Sequence, residues 1–443
     1  MKPKEKAPKG FFGHPRNVMF LFVAALAAVI SLAACGGGGS SSSSESGATP
    51  PSEESTASTA SEESNTGEEA FGEPLKVWSA AAYTTEGTAA FEETKSAAEA
   101  SVKAINAAGG VAGHPIELET CDDHLTPAGA QSCFQKAASD SSTIAMVGGY
   151  TIFGEAVGPI ATQAGMAVVG GMGVEGERKE PIFFVQTPGY PNTYYIAAQH
   201  AVEGGAKKIG FYGVEVPGTA ELLEAFEKAV EEGGGEVSTV QIPVTEASTA
   251  ASSSKLLADN PEAVVMEVSA LQTTSAVRDL RREGFEGPIY LQTTLFSEEG
   301  LEAFAKYKGL IGFQGMPPTN DEKVEGVANY NKAMDEYAKS APRTELGLMN
   351  WLAFSSFKQI AESVEGEITR ESFLKAAQET SELDTEELTA EVPGWYTGKV
   401  PYPSTLPNLF NNHGVIVTIE KGVLGWNGIW YPGLGGGKQE HAA

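Results

Sequence analysis

Short apolar runs alternate with segments of helical spacing from residue 75 almost to the C-terminus, and that alternation leaves few architectures open. Residues 75–78 (LKVW) read as a strand. Phe91, Ala98, Val102 and Ile105 then recur at helical spacing, and Gly109-Gly110 stops that helix. Strands follow at 116–120, 144–147 and 166–169, the last two ending in Gly148-Gly149 and Gly170-Gly171, with helices at 127–139 and 154–163 between them. After a strand at 182–186 and the turn-rich stretch Thr187-Pro188-Gly189-Tyr190-Pro191, the pattern restarts. Strands are predicted at 208–212, 236–242, 263–268, 289–292 and 310–315, with helices at 219–232, 253–258 and 274–283. Three helical stretches (322–339, 346–362, 370–380) precede final strands at 414–419 and 423–426. The fold class is therefore α/β, with two doubly wound parallel-sheet units in series and helices on both faces of each sheet.

A chain of 443 residues is longer than one hydrophobic core usually serves, which agrees with two units. Its 30 basic and 58 acidic residues give a net charge of −28. That balance argues against nucleic acid, whose binding depends on Lys and Arg neutralising phosphates. It does not constrain small ligands.

The N-terminus reads as an address. Lys2, Lys4, Lys6, Lys9 and Arg16 precede an apolar run at 18–32, followed by Leu32-Ala33-Ala34-Cys35. This is the form of a secretory signal occupying 1–34. About 15 apolar residues are short for a bilayer that needs roughly 20, which sets a transmembrane anchor second. Leu32-Ala33-Ala34-Cys35 resembles the bacterial lipobox, which implies lipidation at Cys35 and a lipid anchor on the outer face of the cell membrane, where more than one acyl chain holds stably. Residues 35–74 are dominated by Gly, Ser and Glu without basic counterparts and read as a disordered, self-repelling tether. Residues 433–443 read as a flexible tail.

Beyond Cys35 the chain holds Cys121 and Cys133. In an exported protein they are candidates for one disulfide, with two free thiols as the alternative. The six histidines, at 14, 114, 124, 200, 413 and 441, are scattered and no ligand spacing recurs, so neither a metal site nor a cofactor is expected. No G-x-S-x-G elbow exists, and Gly433–Gln439 lacks the form of a phosphate loop, so an enzyme is not indicated.

Four segments carry a family resemblance: AAEASVKAINAAGGVAGHPIELETCDDHLTPAGAQSC, IAMVGGYT, AGMAVVGG and SAVRDLRREGFEGPIYLQT. Residues 75–430 resemble type I solute-binding proteins of ABC importers, in the leucine/isoleucine/valine-binding branch. The resemblance implies two lobes joined by a three-crossover hinge, lobe 1 from 75–188 plus 316–392 and lobe 2 from 189–315 plus 393–432. It also implies capture of a small molecule for ABC permease subunits. A sensor lipoprotein on the same fold is the alternative, and an exported hydrolase a weaker one.

In open α/β sheets ligands bind outside the carboxyl ends of the strands. That places the site at loops 80–85, 148–153 and 170–175 of lobe 1 and at 213–218, 269–273 and 292–296 of lobe 2. The resemblance implies that Tyr150 and Thr151 hold a ligand carboxylate, that Tyr83 lies over the ligand's side chain, and that Gly173-Val174 stands where relatives carry a small hydroxyl residue. Tyr190 falls in the first crossover, 187–192. Gln272, Gln292, Thr293 and Thr294 are uncharged hydrogen-bonding groups at lobe 2 strand ends. Relatives that bind amino acids place an acid for the ammonium where this chain has Thr293-Thr294-Leu295. The familiar Asp and Tyr-Gly after the first lobe 2 strand are replaced by Gly213 and Pro217-Gly218. Unless Glu175 or Glu215 turns inward, the expected ligand is a small polar or amide-like compound, or a carboxylate without an α-ammonium, rather than leucine.

Overall fold

The computed structural model describes residues 72–84, 91–215, 218–243, 245–380, 382–390 and 411–434. The expectations for the signal segment, Cys35, most of the tether, Pro217, the third crossover near 392 and the tail beyond 434 lie outside the described residues, as does the side chain of Glu175.

The first sheet grows from the alternation read above. Its strands are β1 (Leu75–Ala81), β2 (Ile116–Asp122), β3 (Thr143–Val147), β4 (Ala167–Val169) and β5 (Phe183–Phe184). They are wound through helices α1 (Glu92–Ala107), α2 (Pro127–Ser139), α3 (Gly154–Ala164) and α4 (Glu175–Lys179). The order is β2-β1-β3-β4-β5 and every pair is parallel, with Leu75 opposite Ile116 and Val147 opposite Val169. β3 is buried along its whole length, as a strand covered on both faces must be. α2 starts where Thr126 accepts a hydrogen bond from the Gly129 N–H at 3.0 Å, with Pro127 in the first turn, where its missing N–H costs nothing. Cys121 of β2 and Cys133 of α2 are joined by a disulfide, with Cα atoms 5.7 Å apart.

The second sheet follows α5 (Tyr190–Glu203) and uses β6 (Lys208–Val214), β7 (Glu236–Ile242), β8 (Ala263–Glu267), β9 (Ile289–Gln292) and β10 (Leu310–Gln314). Helices α6 (Thr219–Glu232), α7 (Ala250–Leu257), α8 (Ala270–Arg282) and α9 (Glu298–Glu302) join them, with a 3-10 turn at Thr293–Leu295. The chain then forms α10 (Glu325–Tyr337), α11 (Glu345–Glu362) and α12 (Arg370–Glu379), and returns as β11 (His413–Glu420), β12 (Val423–Gly425) and β13 (Trp430–Pro432). The strand order is β12-β11-β10-β9-β8-β6-β7, with β13 also on β11. β6 to β10 are parallel, whereas β11 runs antiparallel to β10 and carries antiparallel β12 and β13.

Hydrophobic packing decides where the late helices go. Phe354, Phe357 and Ile360 of α11 and Phe373 of α12 bury themselves with Val77, Val147, Val169 and Phe184 of the first sheet. Leu348 and Leu352 of α11 and Tyr330 and Met334 of α10 close over Ala97 and Ala100 of α1. The chain thus leaves the first sheet after β5, builds the second, and comes back to cover the first. α5 was not legible from the pattern, because Gly189-Tyr190-Pro191 reads as a turn; the helix begins there with Pro191 in its first turn.

Candidate ligand-binding site

The carboxyl ends of β1, β3 and β4 deliver a compact apolar cluster. Ala81, Tyr83, Tyr150, Met172 and Leu346 are buried together, with Phe91, Val174, Tyr190 and Met349 packed against them. Tyr150 joins β1 through a parallel bridge to Ala81, and its ring stands 5.9 Å from that of Phe91. The Tyr83 hydroxyl donates to the Ser79 carbonyl at 3.3 Å, and the Tyr150 hydroxyl points at Met349 Sδ at 3.8 Å. Tyr190 opens α5 with its N–H on the Met172 carbonyl at 3.0 Å and its ring edge-on to Tyr194.

Two glycines let these loops meet. Gly173 has φ +65°, and a Cβ there would fall 2.5 Å from the Cα of Gly189, itself at φ +81°. Only residues without side chains allow the loop after β4 to lie against the crossover that leads into α5. Glu177 fixes the same loop from inside, accepting hydrogen bonds from the Gly173 N–H at 2.7 Å and the Val174 N–H at 3.3 Å.

Tyr150 and Thr151, the residues expected to hold a ligand carboxylate, follow the end of β3 and are buried. The Tyr150 N–H is spent on the Ala80 carbonyl at 2.7 Å, and the Thr151 hydroxyl accepts from the Phe153 N–H at 3.2 Å.

On the second sheet the uncharged residues are drawn into internal work. Gln272 caps α8 with Ser269 and donates to the Pro243 and Glu246 carbonyls, at 3.3 and 3.0 Å. Thr293 donates to Gln314 Oε1 at 2.5 Å. Gln292 accepts from Thr193 at 3.4 Å and donates to the Thr294 hydroxyl at 2.8 Å. Thr294 in turn is hydrogen-bonded to the Glu345 carboxylate, whose other oxygen accepts from the Gly315 N–H at 2.6 Å. A continuous polar chain therefore runs from α5 through the end of β9 to the first residue of α11 and the crossover after β10. Glu215 is exposed, with its N–H on the Ile242 carbonyl at 2.8 Å.

Three buried acids escaped the sequence reading: Glu177, Glu267 and Glu345. Glu267 ends β8 and accepts from the Val214 N–H and the Thr219 hydroxyl, both at 3.1 Å. Burial pushes the carboxyl of Glu177 up to about 8 and those of Glu267 and Glu345 up to about 7, against the pull of the hydrogen bonds they accept. Glu345 and Glu177 bear on Tyr150, and Glu267 and Glu345 on Tyr190; together with burial, which acts most strongly, they hold both phenols well above their ordinary range. Glu345 opens α11 after Thr344, one residue before the predicted start at 346, and as a first-turn acid it complements the helix dipole. At the rim, Lys95 lies 5.9 Å from the Tyr83 ring centroid. Arg178 of α4 pairs with Glu221 in the first turn of α6, an ion pair from the first sheet's helices to the second's. Among the described residues no group of His, Cys, Asp or Glu is arranged to hold a metal ion, and no helix is long and apolar enough to cross a membrane.

The architecture recurs in solved structures. An extracellular ligand-binding receptor from Verminephrobacter eiseniae superposes with a TM-score of 0.67 at 17% identity, over 80% of this chain and 100% of its own. The branched-chain amino acid transporter substrate-binding protein from Streptococcus pneumoniae, solved with isoleucine, gives 0.64 at 16% identity over 79% and 97%. A fatty acid ABC transporter substrate-binding protein from Thermomonospora curvata gives 0.67 at 16% identity over 84% and 95%. At these identities the likeness is one of fold. No curated protein sequence matches this chain. The sequence itself matches the family model for periplasmic binding proteins over residues 80–394. With that match covering most of both sheets and the strand-end cluster, the chain belongs to the periplasmic binding protein family.

Proposed function

We propose that this chain captures a small solute outside the cell membrane, between the strand ends of its two lobes, and delivers it to the permease of an ABC importer. The observation that carries this reading is the seam itself. The cluster of Tyr83, Tyr150, Met172, Leu346 and Tyr190 belongs to one side, and the Gln292–Thr294 strand end meets it through Glu345. Apolar walls of this kind suit a ligand with an aliphatic or aromatic side chain, and a few polar groups set its orientation. A branched-chain amino acid or a related compound fits, in keeping with the isoleucine held by the Streptococcus pneumoniae relative. The ligand does its work by differential contact: it touches both lobes only when they are shut, so it shifts the population toward the shut form. Lipidation at Cys35 and the tether 35–74 would keep the body at the membrane face.

The test is solution scattering and thermal denaturation of residues 75–434, with and without the ligand that mass spectrometry identifies in protein purified under native conditions. The reading expects a smaller radius of gyration and a melting temperature that rises with ligand concentration. Identical scattering profiles at saturation would defeat it. For the anchor, intact mass of the native membrane fraction should show acylated Cys35 as the first residue.

A further inference from the structure

β2 is the edge strand of the first sheet and pairs with β1 alone, Cys121 opposite Ala80 and Asp122 opposite Ala81. Its last residue nevertheless holds the part of the site that follows β1. Asp122 Oδ1 accepts the Tyr83 N–H at 3.1 Å, an N–H shared with the Ala81 carbonyl at 3.1 Å, and Asp122 Oδ2 accepts the Thr84 hydroxyl at 2.5 Å. His124 closes over the pair, with Nδ1 2.9 Å from the Thr84 hydroxyl oxygen. The next residue, Asp123, puts its N–H on the Ala81 carbonyl at 3.0 Å. Tyr83 is buried in the strand-end cluster, so its place in the site depends on where the end of β2 is held.

That end is a strained turn. His124 and Leu125 both have left-handed backbone, φ +52° and +53°, which residues other than glycine keep only where their surroundings enforce it. Part of the enforcement is local: Asp122 Oδ1 also accepts the His124 N–H at 2.9 Å, and Asp123 Oδ1 accepts the Leu125 N–H at 2.8 Å. The other part is covalent. Cys121 immediately precedes the turn, and Cys133 lies on α2, which starts two residues after it, so the disulfide closes the loop that contains the whole turn. Both cysteines are buried with Ala130, Phe134 and Met146, which seats the bond against the sheet. We propose that the Cys121–Cys133 bond is a positioning brace for the site: it holds the strained turn so that Asp122 stays on Tyr83 and Thr84, and without it the segment after β1 loosens while the sheet stays folded. Asp122 and the two cysteines are then positioning residues, acting on a ligand only through Tyr83. That last consequence rests on the solute-binding reading above; the brace itself does not.

Backbone amide exchange of the full chain, read by mass spectrometry, tests the brace without any ligand. Cys121→Ala/Cys133→Ala should speed exchange in the segment 82–84 about tenfold, and Asp122→Ala with the disulfide intact should do the same. Combining the three substitutions should add little, because both changes remove one and the same hold. Peptides from β3 should keep their protection in every variant. Leu125→Gly, which removes a left-handed penalty, should restore most of the protection at 82–84 when added to the variant without cysteines; if the bond only staples the fold, Leu125→Gly changes nothing there. Unchanged exchange at 82–84 without the disulfide, effects of the disulfide and Asp122 that multiply, or loss of protection throughout β3 would each overturn the brace. Each of these results leaves the solute-binding reading to its own test by scattering.

Discussion

Gly173→Ala is the sharpest probe of how the site is built, because its cost divides into two parts. The first is conformational: at φ +65° an L-residue is in the left-handed region, at about 1–2 kcal/mol. The second is steric. The new methyl would stand 2.5 Å from the Gly189 Cα and 3.3 Å from the Gly189 N, and both are backbone atoms that cannot swing aside. Overpacking of that kind adds about 1–3 kcal/mol. Gly165→Ala supplies the control, since Gly165 has φ +58° at the end of α3 and a methyl added there would meet nothing within 4 Å. With an unfolding entropy of about 2.1 cal/mol/K per residue over a body of roughly 360 residues, each 1 kcal/mol lowers the melting temperature by about 1.3 °C. Gly165→Ala should therefore lose about 1–3 °C and Gly173→Ala about 3–7 °C in calorimetry at one pH and scan rate. Gly173→Ala should also weaken ligand binding, because the loop after β4 and the crossover at Gly189 must separate, whereas Gly165→Ala should not. If the two variants melt together, the close approach of Gly173 to Gly189 does not constrain the fold and the reasoning fails.

Other expectations follow from the same geometry. Thiol labelling of unreduced, unfolded protein spanning residues 75–434 should find no free cysteine, and reduction should destabilise it by at most about 3 kcal/mol, the scale for closing so short a loop; two titratable thiols would refute the pairing. Stability of the ligand-free body should fall as pH rises from about 6.5 to 8. The folded state keeps protons on Glu177, Glu267 and Glu345 to about 8, 7 and 7, while the unfolded chain has released them above about pH 4.3. His200 and His413, whose burial disfavours the protonated ring, act in the opposite sense below about pH 6.5, so denaturant midpoints are best compared above it, where Glu345→Gln should flatten the slope. Arg178→Gln should weaken ligand binding a few-fold by loosening the pair with Glu221, and a double-mutant cycle with Glu221→Gln should show coupling of no more than about 1 kcal/mol.

Most of the fold could be read from periodicity because its strands are short, apolar and buried on both faces, as β3 and β8 are throughout. The features that escaped are those in which local chemistry speaks for a different structure. Pro191 marks a turn in isolation but sits comfortably in the first turn of α5, and the burial of Tyr194, Ile196 and Ala197 against the second sheet then carries the helix forward. β5 is two residues long, too short for any alternation to register. The antiparallel edge formed by β11 to β13 depends on the direction from which the chain returns, which no property of residues 413–432 encodes by itself.

The candidate site was legible in its positions and not in its chemistry. Tyr83, Tyr150 and Val174 could be placed at strand ends and Tyr190 in the first crossover, and the structure packs them into one cluster. Thr151, Gln272 and Thr293 stand at strand ends as well, yet their polar atoms are taken up by Phe153, by the 243–246 loop and by Gln314. A side chain's type says what it can bond and not which partner reaches it first. The acids invert the same lesson. Glu215 follows β6 and is exposed; Glu345, just before the helix predicted at 346–362, was not singled out, and it is buried with its carboxylate on Thr294 and Gly315. The contacts of Glu345 follow from its position. A first-turn acid complements the dipole of α11, and because the start of α11 lies against the end of β9 and the crossover after β10, that acid is hydrogen-bonded to Thr294 and Gly315.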